Sequence, residues 1–252
     1  VDTGLDRSVS EIVWSPDGNG LYFQYDDRGN TKIGYSNLEG SSEVVAENVG
    51  GTAVGRPYGG GSFSVSENGV IALNQTTPYY PAELAVTRKG NREADRITNL
   101  NGELFSNRTL GNVEEVWYTS SVDGIDLHGW IVTPPGYDPD ETYPLLVEIH
   151  GGPISNYGDR FSPEVQLYAS AGYVVFYPNM RGSTSYGEEF GNLLYHDYPG
   201  DDYHEIMDGV DLLIERGVVA AKRLFVTERS AGGIVTPWMT AKNSDQSGSV
   251  KS

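Results

Sequence analysis

The sequence predicts an all-β first part followed by a doubly wound α/β domain with a mostly parallel sheet, and three observations carry that expectation. Up to about residue 110 the chain shows short β-rich runs and turn dipeptides, with no sustained helical periodicity. Within that stretch one turn-then-strand device occurs twice. From about Val113 onward, nearly unbroken apolar runs alternate with amphipathic stretches, the pattern of strands buried in a parallel sheet and of helices that cover it.

The first device is Trp14-Ser15-Pro16-Asp17-Gly18 leading into Leu21-Tyr22-Phe23. Proline fixes φ, glycine takes the left-handed position, and a strand follows. Fifty-one residues on, Ser66-Glu67-Asn68-Gly69 leads into Val70-Ile71-Ala72-Leu73. A repeat of that length with several short strands per unit is the signature of propeller blades, so residues 1–112 are expected to be the terminal blades of a β-propeller, with a β-sandwich or simple meander as the alternative. A polar linker is expected between Leu100 and Asn112, around Asn101-Gly102.

Residues 113–252 change grammar. Glu114–Thr119 and Leu127–Val132 alternate as strands about a turn at Asp123-Gly124. Leu145–Ile149 and Tyr173–Tyr177 read as buried parallel strands. Between Asp201 and Gly217, Tyr203, Ile206, Met207, Val210, Leu213 and Ile214 recur at helical spacing, with aspartate available to cap the start and glycine to end it. Leu224-Phe225-Val226 is a third buried strand, and it runs through Thr227–Gly233 into an apolar helix pattern that continues to Trp238.

Composition excludes several classes. With 38% hydrophobic and 11% aromatic residues, a wholly disordered chain is ruled out. Acidic residues outnumber basic ones 35 to 17, a formal charge of −18 that repels phosphate backbones and anionic lipid. Neither nucleic acid nor a membrane is an expected partner. Cysteine is absent, which removes disulfides, thiolate zinc ligands and thiol catalysis and fits either redox setting. Val1–Ser10 carries neither an initiator methionine nor a signal segment, and the chain is expected to come from the middle of a longer protein.

The chemistry concentrates at strand ends. Ser230 stands on a sharp turn between a buried strand and a helix, where a hydroxyl is lifted clear of the sheet and the helix N-terminus faces developing negative charge. Eighty residues upstream, His150-Gly151-Gly152-Pro153 follows another strand, and its glycines let the backbone turn an N–H toward a substrate oxygen. Other polar residues read as scaffold. His150 is expected to brace its loop by hydrogen bonding more than to act as a base, and Arg181 to form either an internal ion pair or a substrate contact. Asp197, Asp201 and Asp202 suggest helix capping more than a cation site, and no metal is expected. Glu114-Glu115 reads as a solvated strand end, and His196 and His204 receive no role.

These motifs, in order, resemble the prolyl oligopeptidase family, on its acylaminoacyl-peptidase and dipeptidyl-aminopeptidase side. The run comprises the blade device, the hairpin, His150-Gly-Gly-Pro153, Asn179-Met-Arg-Gly-Ser183 with Tyr186-Gly187, Asp201–Gly217 and Ser230-Ala-Gly-Gly233. The resemblance implies a β-propeller joined to an α/β-hydrolase domain that cleaves short peptides through a Ser-Asp-His triad without a cofactor. It makes Ser230 the nucleophile, and Gly152 and Ala231 the backbone N–H donors of an oxyanion hole. Two features depart from the pattern. Glu228 stands where the family has glycine, two residues before the serine, and is expected either to swing outward or to deform the turn. All four histidines precede Ser230, whereas α/β-hydrolases run serine, acid, histidine, so the hydrolase part is expected to be incomplete at its C-terminus and inactive alone. Two other functions fit the same residues: a carboxylesterase of the α/β-hydrolase fold, and a catalytically dead relative whose propeller binds.

Overall fold

The computed structural model describes residues 3–51, 55–91 and 93–243. The chain divides into two compact units, one built from Val1–Arg108 with Gly158–Ser162 and Ser185–Glu188, the other from Thr109–Tyr157, Pro163–Thr184 and Glu189–Ser252.

The first unit contains two four-stranded antiparallel meanders. β1 (Val9–Trp14), β2 (Gly20–Asp27), β3 (Asn30–Asn37) and β4 (Ser42–Ala46) pair in sequence order. So do β5 (Phe63–Val65), β6 (Val70–Thr77), β7 (Tyr80–Arg88) and β8 (Asp95–Arg96). The repeated device has the same geometry in both: Gly18 and Gly69 each donate an N–H to the carbonyl of the serine three residues before, at 2.9 Å. Inward-facing Tyr22, Ile33 and Val45 of the first meander, Val49 just after it, and Phe63, Ile71, Leu73 and Ala85 of the second form one core. A short helix, α1 (Gly102–Ser106), follows β8.

The second unit is an α/β layer structure. Its sheet has the order β13-β11-β12-β10-β9, formed by β9 (Asn112–Thr119), β10 (Asp126–Thr133), β11 (Tyr143–Ile149), β12 (Val174–Asn179) and β13 (Val219–Glu228). β11 pairs in parallel with β12 and with β13, whereas β10 runs antiparallel to both β12 and β9. The expectation of a mostly parallel sheet is therefore corrected: it is mixed, because the β9–β10 hairpin enters antiparallel and its strands supply half of the pairings. β11 and β12 sit in the interior of the sheet, and this is why they are continuous apolar runs.

Helices flank both faces. α4 (Asp201–Glu215) and α5 (Gly232–Asn243) place Ile206, Val210, Leu213, Val235 and Met239 against Leu145, Val147, Ile149, Val174 and Phe176. On the opposite face α2 (Pro163–Ser170) contacts β10 and β12 and buries Val165 and Ala169. α3 (Glu188–Asn192) is a single short turn. Each fully buried aliphatic side chain here contributes about 1.5–3 kcal/mol of transfer free energy, so the interior strands dominate the stability of this unit. Among the described residues no helix is long and apolar enough to cross a membrane.

Candidate active site

Parallel pairing decides what meets at the sheet edge. Ile149 of β11 is registered against Glu228 of β13, so the loop from His150 and the turn at Ser230 leave neighbouring strands on the same side. Gly232 confirms the close approach of that turn to β11. A Cβ built on it would lie 3.1 Å from the Ile149 carbonyl oxygen and 2.9 Å from Glu228 Cβ. A methyl group there would press strand and helix apart.

Ser230 is exposed and holds φ +57°, a left-handed conformation uncommon for a residue with a side chain. The residues after it are ordered by a ladder of turn bonds. Gly232, Gly233 and Ile234 donate their N–H groups to the carbonyls of Arg229, Ser230 and Ala231 at 3.1, 3.0 and 2.9 Å. The Ala231 N–H takes no part in that ladder and donates to nothing among the described residues. The same holds for the N–H of Gly152, which is exposed at φ +137° in a turn where a Cβ would lie 2.7 Å from the Ile154 nitrogen. Thus a hydroxyl and two unengaged backbone donors stand on adjoining strand ends, the donor set that acyl transfer requires.

His150 lies within this edge but is spent on structure. It is fully buried; Nδ1 lies 2.9 Å from the Gly151 carbonyl oxygen and Nε2 lies 2.9 Å from the Ser183 hydroxyl oxygen, the tautomer setting which nitrogen carries the proton. That hydroxyl also lies 2.6 Å from the Met180 carbonyl. Burial brings the imidazole down to about 4, so it is neutral at physiological pH. Both ring nitrogens are occupied, and the ring braces the glycine loop.

The loop after β12 is equally internal. Arg181 donates its backbone N–H to Glu205 Oε2 and its Nε to Glu205 Oε1, both at 2.8 Å. Its outer nitrogens reach Asp201 at 3.2 Å and Asp123 at 3.0 Å. Glu205 is fully buried, and the surrounding acids hold the guanidinium above its ordinary pKa against the cost of burial. The acidic cluster is therefore divided among tasks. Asp201 serves Arg181, and Asp202 accepts the Gly200 N–H at 2.6 Å. The α4 N-cap is Gly200, not an aspartate, which corrects the capping expectation in detail. No group of acidic and histidine side chains suited to a metal occurs among the described residues.

A model of the prolyl oligopeptidase family matches residues 159–246, a span that includes Ser230. The chain is 36% identical over 244 residues to the uncharacterized peptidase YuxL of Bacillus subtilis (strain 168), an alignment covering 96% of this chain and 36% of that protein. The chain belongs to the prolyl oligopeptidase family. It is also 30% identical to a probable dipeptidyl-peptidase 5 of Arthroderma benhamiae, over 82% of this chain and 28% of that one. Among solved structures, an acylaminoacyl peptidase in complex with Z-Gly-Gly-Phe-chloromethyl ketone superposes with a TM-score of 0.80 at 26% identity, covering 98% of this chain and 36% of that chain. The chain thus spans about a third of the length of these prolyl oligopeptidase relatives.

Against the family pattern, Glu228 is accommodated in a way the sequence did not suggest. Its side chain neither swings outward nor breaks the β13 pairing. It lies along the glycine pair, where a Cβ on Gly233 would come within 3.3 Å of Glu228 Oε2, so the absence of side chains at 232 and 233 makes the room. Sequence reading missed Ser183, Glu205 and Tyr198 as partners of the edge residues. Their roles depend on contacts separated by 33, 24 and 33 positions, and no local motif encodes them. A cavity of about 470 Å³ lined by Leu110, Ile131, Pro134, Tyr137 and Val218 lies at the other edge of the sheet, where β13 begins, and takes no part in this arrangement.

Proposed function

We propose that this chain is part of a serine peptidase in which Ser230 attacks the carbonyl of a short peptide, forming an acyl-enzyme that water then hydrolyses. The observation that carries this reading is the conjunction at one sheet edge of an exposed, left-handed Ser230 with the unengaged N–H groups of Ala231 and Gly152. In the same reading, residues 1–112 are the terminal blades of a β-propeller and residues 113–252 the N-terminal part of an α/β-hydrolase domain. The substrate is a peptide of the acylaminoacyl or dipeptidyl type, a class supported by the likeness to a probable dipeptidyl-peptidase 5 and to an acylaminoacyl peptidase. No cofactor enters the scheme.

The general base lies outside the histidines of this chain. His150 is committed through both ring nitrogens, and the α/β-hydrolase order places the base after the nucleophile, where this chain has no histidine. Without a base, Ser230 remains a weakly nucleophilic alcohol, so the 252 residues alone are expected to be inactive. The test is a panel of acylated and free dipeptide substrates beside a simple aryl ester, offered to a full-length protein containing this chain. Peptide turnover abolished by Ser230→Ala is expected. Efficient turnover of the ester with none of the peptides would point to a carboxylesterase, and peptide turnover that survives Ser230→Ala would remove the serine from the mechanism.

A further inference from the structure

The Ser230 turn makes one contact that nucleophilic attack does not use. Tyr198, in the loop before α4, donates its hydroxyl to the Ala231 carbonyl at 2.5 Å. The ring packs against the main core of its unit, and burial together with the charge of Asp202 pushes the phenol up to about 12, so it stays a donor throughout the neutral range. Its loop is held in turn: Asp197 donates its N–H to the Leu194 carbonyl at 3.1 Å, and Gly200 donates to Asp202 Oδ1 at 2.6 Å. The Ala231 carbonyl also accepts the Ile234 N–H at 2.9 Å. It is therefore clamped from two directions, by the helix that follows and by a side chain from a distant loop.

That clamp bears on the oxyanion donor. Of the four N–H groups from Ala231 to Ile234, only that of Ala231 is left over among the described residues. That N–H lies in the Ser230–Ala231 peptide plane, whose carbonyl accepts the Gly233 N–H, and this plane is joined through φ and ψ of Ala231 to the next one, which Tyr198 holds, so a shift of the Ala231 carbonyl re-aims the N–H. We propose that Tyr198 is a positioning residue for the oxyanion turn, its hydroxyl holding the Ala231 carbonyl so that the Ala231 N–H stays aimed away from the helix. The proposal rests on the reading of Ser230 as nucleophile and deepens it. Tyr198 acts through Ala231, so its hydroxyl contributes where charge develops on the substrate oxygen and not where the substrate is first bound.

The experiment compares wild type, Tyr198→Phe and Ser230→Ala in a full-length protein containing this chain, with active sites counted by titration and kcat and KM determined on one peptide. Tyr198→Phe should lower kcat about tenfold, as expected for one hydrogen bond, while KM moves by less than about twofold. Amide exchange at Gly232–Ile234, whose N–H groups are bonded in the turn, should quicken in the same variant, a readout that needs no activity. A purely structural tyrosine would reduce the number of titratable sites and leave kcat per site unchanged, which overturns the proposal. So would a loss confined to KM. If Ser230→Ala retains full activity, the nucleophile reading falls and takes this proposal with it; if Ser230→Ala is inactive while Tyr198→Phe matches wild type in both kcat and exchange, only the role of Tyr198 is refuted.

Discussion

The loop after β12 and the turn after β13 leave the same edge of one sheet and are built in opposite ways. In the first, Arg181 contacts Glu205, Asp201 and Asp123, and the Ser183 hydroxyl is shared between His150 and Met180, so its main polar groups are committed. In the second, Ser230 sits exposed in a left-handed conformation, and the neighbouring Ala231 N–H is left open. A site needs both kinds of segment. Reactive groups must be unsatisfied to act, and they keep their geometry only if the segments beside them are fully satisfied.

The sharpest way to break this contrast is to cut the closed loop. Arg181→Ala leaves the Glu205 carboxylate buried without its cation, and should cost about 3–5 kcal/mol of unfolding free energy. Urea denaturation of the variant against wild type measures it. A loss below about 1 kcal/mol would place Arg181 in the class of surface pairs and erase the distinction between the two segments.

A second prediction uses pH. The buried His150 has its folded pKa lowered to about 4 from an ordinary 6.5, so the folded state favours the neutral ring. Between those values the unfolded chain binds the proton and the folded chain does not. The stability from this group is complete above about pH 6.5, declines as pH falls, and is reduced by about 3 kcal/mol near pH 4. Urea midpoints recorded from pH 7 to pH 4 should decline less steeply for His150→Gln than for wild type. Parallel curves would mean that the histidine is solvated and braces nothing.

How far sequence alone reaches is visible in the same two segments. The positions of β11, β12, β13 and α4 were legible because burial writes apolar runs and a 3.6-residue period directly into the chain. Gly152 was legible because an unusual backbone conformation restricts residue type, and the turn at Ser230 because it stands between an apolar run and an apolar helix pattern. Glu205 and Tyr198 were not. A buried glutamate at helical spacing reads like any polar position until the arginine 24 residues earlier is brought to it, and a tyrosine before a helix reads as core until its hydroxyl is seen on Ala231. The mixed sheet was missed for a related reason: the turn at Asp123-Gly124 marks a hairpin, but nothing local says that β10 pairs with β12 and so joins the parallel strands in one sheet.

The open turn offers a smaller effect of opposite sign. Ser230 holds φ +57°, and glycine takes that conformation without the Cβ penalty, which outweighs glycine's greater unfolded-state entropy. Ser230→Gly should stabilise the chain by up to about 1 kcal/mol in urea unfolding. Destabilisation of that size would show that the hydroxyl serves the fold and not chemistry.

A fluorophosphonate probe reads out whether the unsatisfied turn is the reactive one. A full-length protein containing this chain should be labelled at Ser230 alone, as located by mass spectrometry, and the 252-residue chain should stay essentially unlabelled for want of a base. Glu228→Gly should speed labelling of the full-length protein by removing a negative charge from beside the turn. Labelling at another residue, or none in a full-length protein that is folded and turning over peptide, would contradict the assignment of Ser230 as nucleophile.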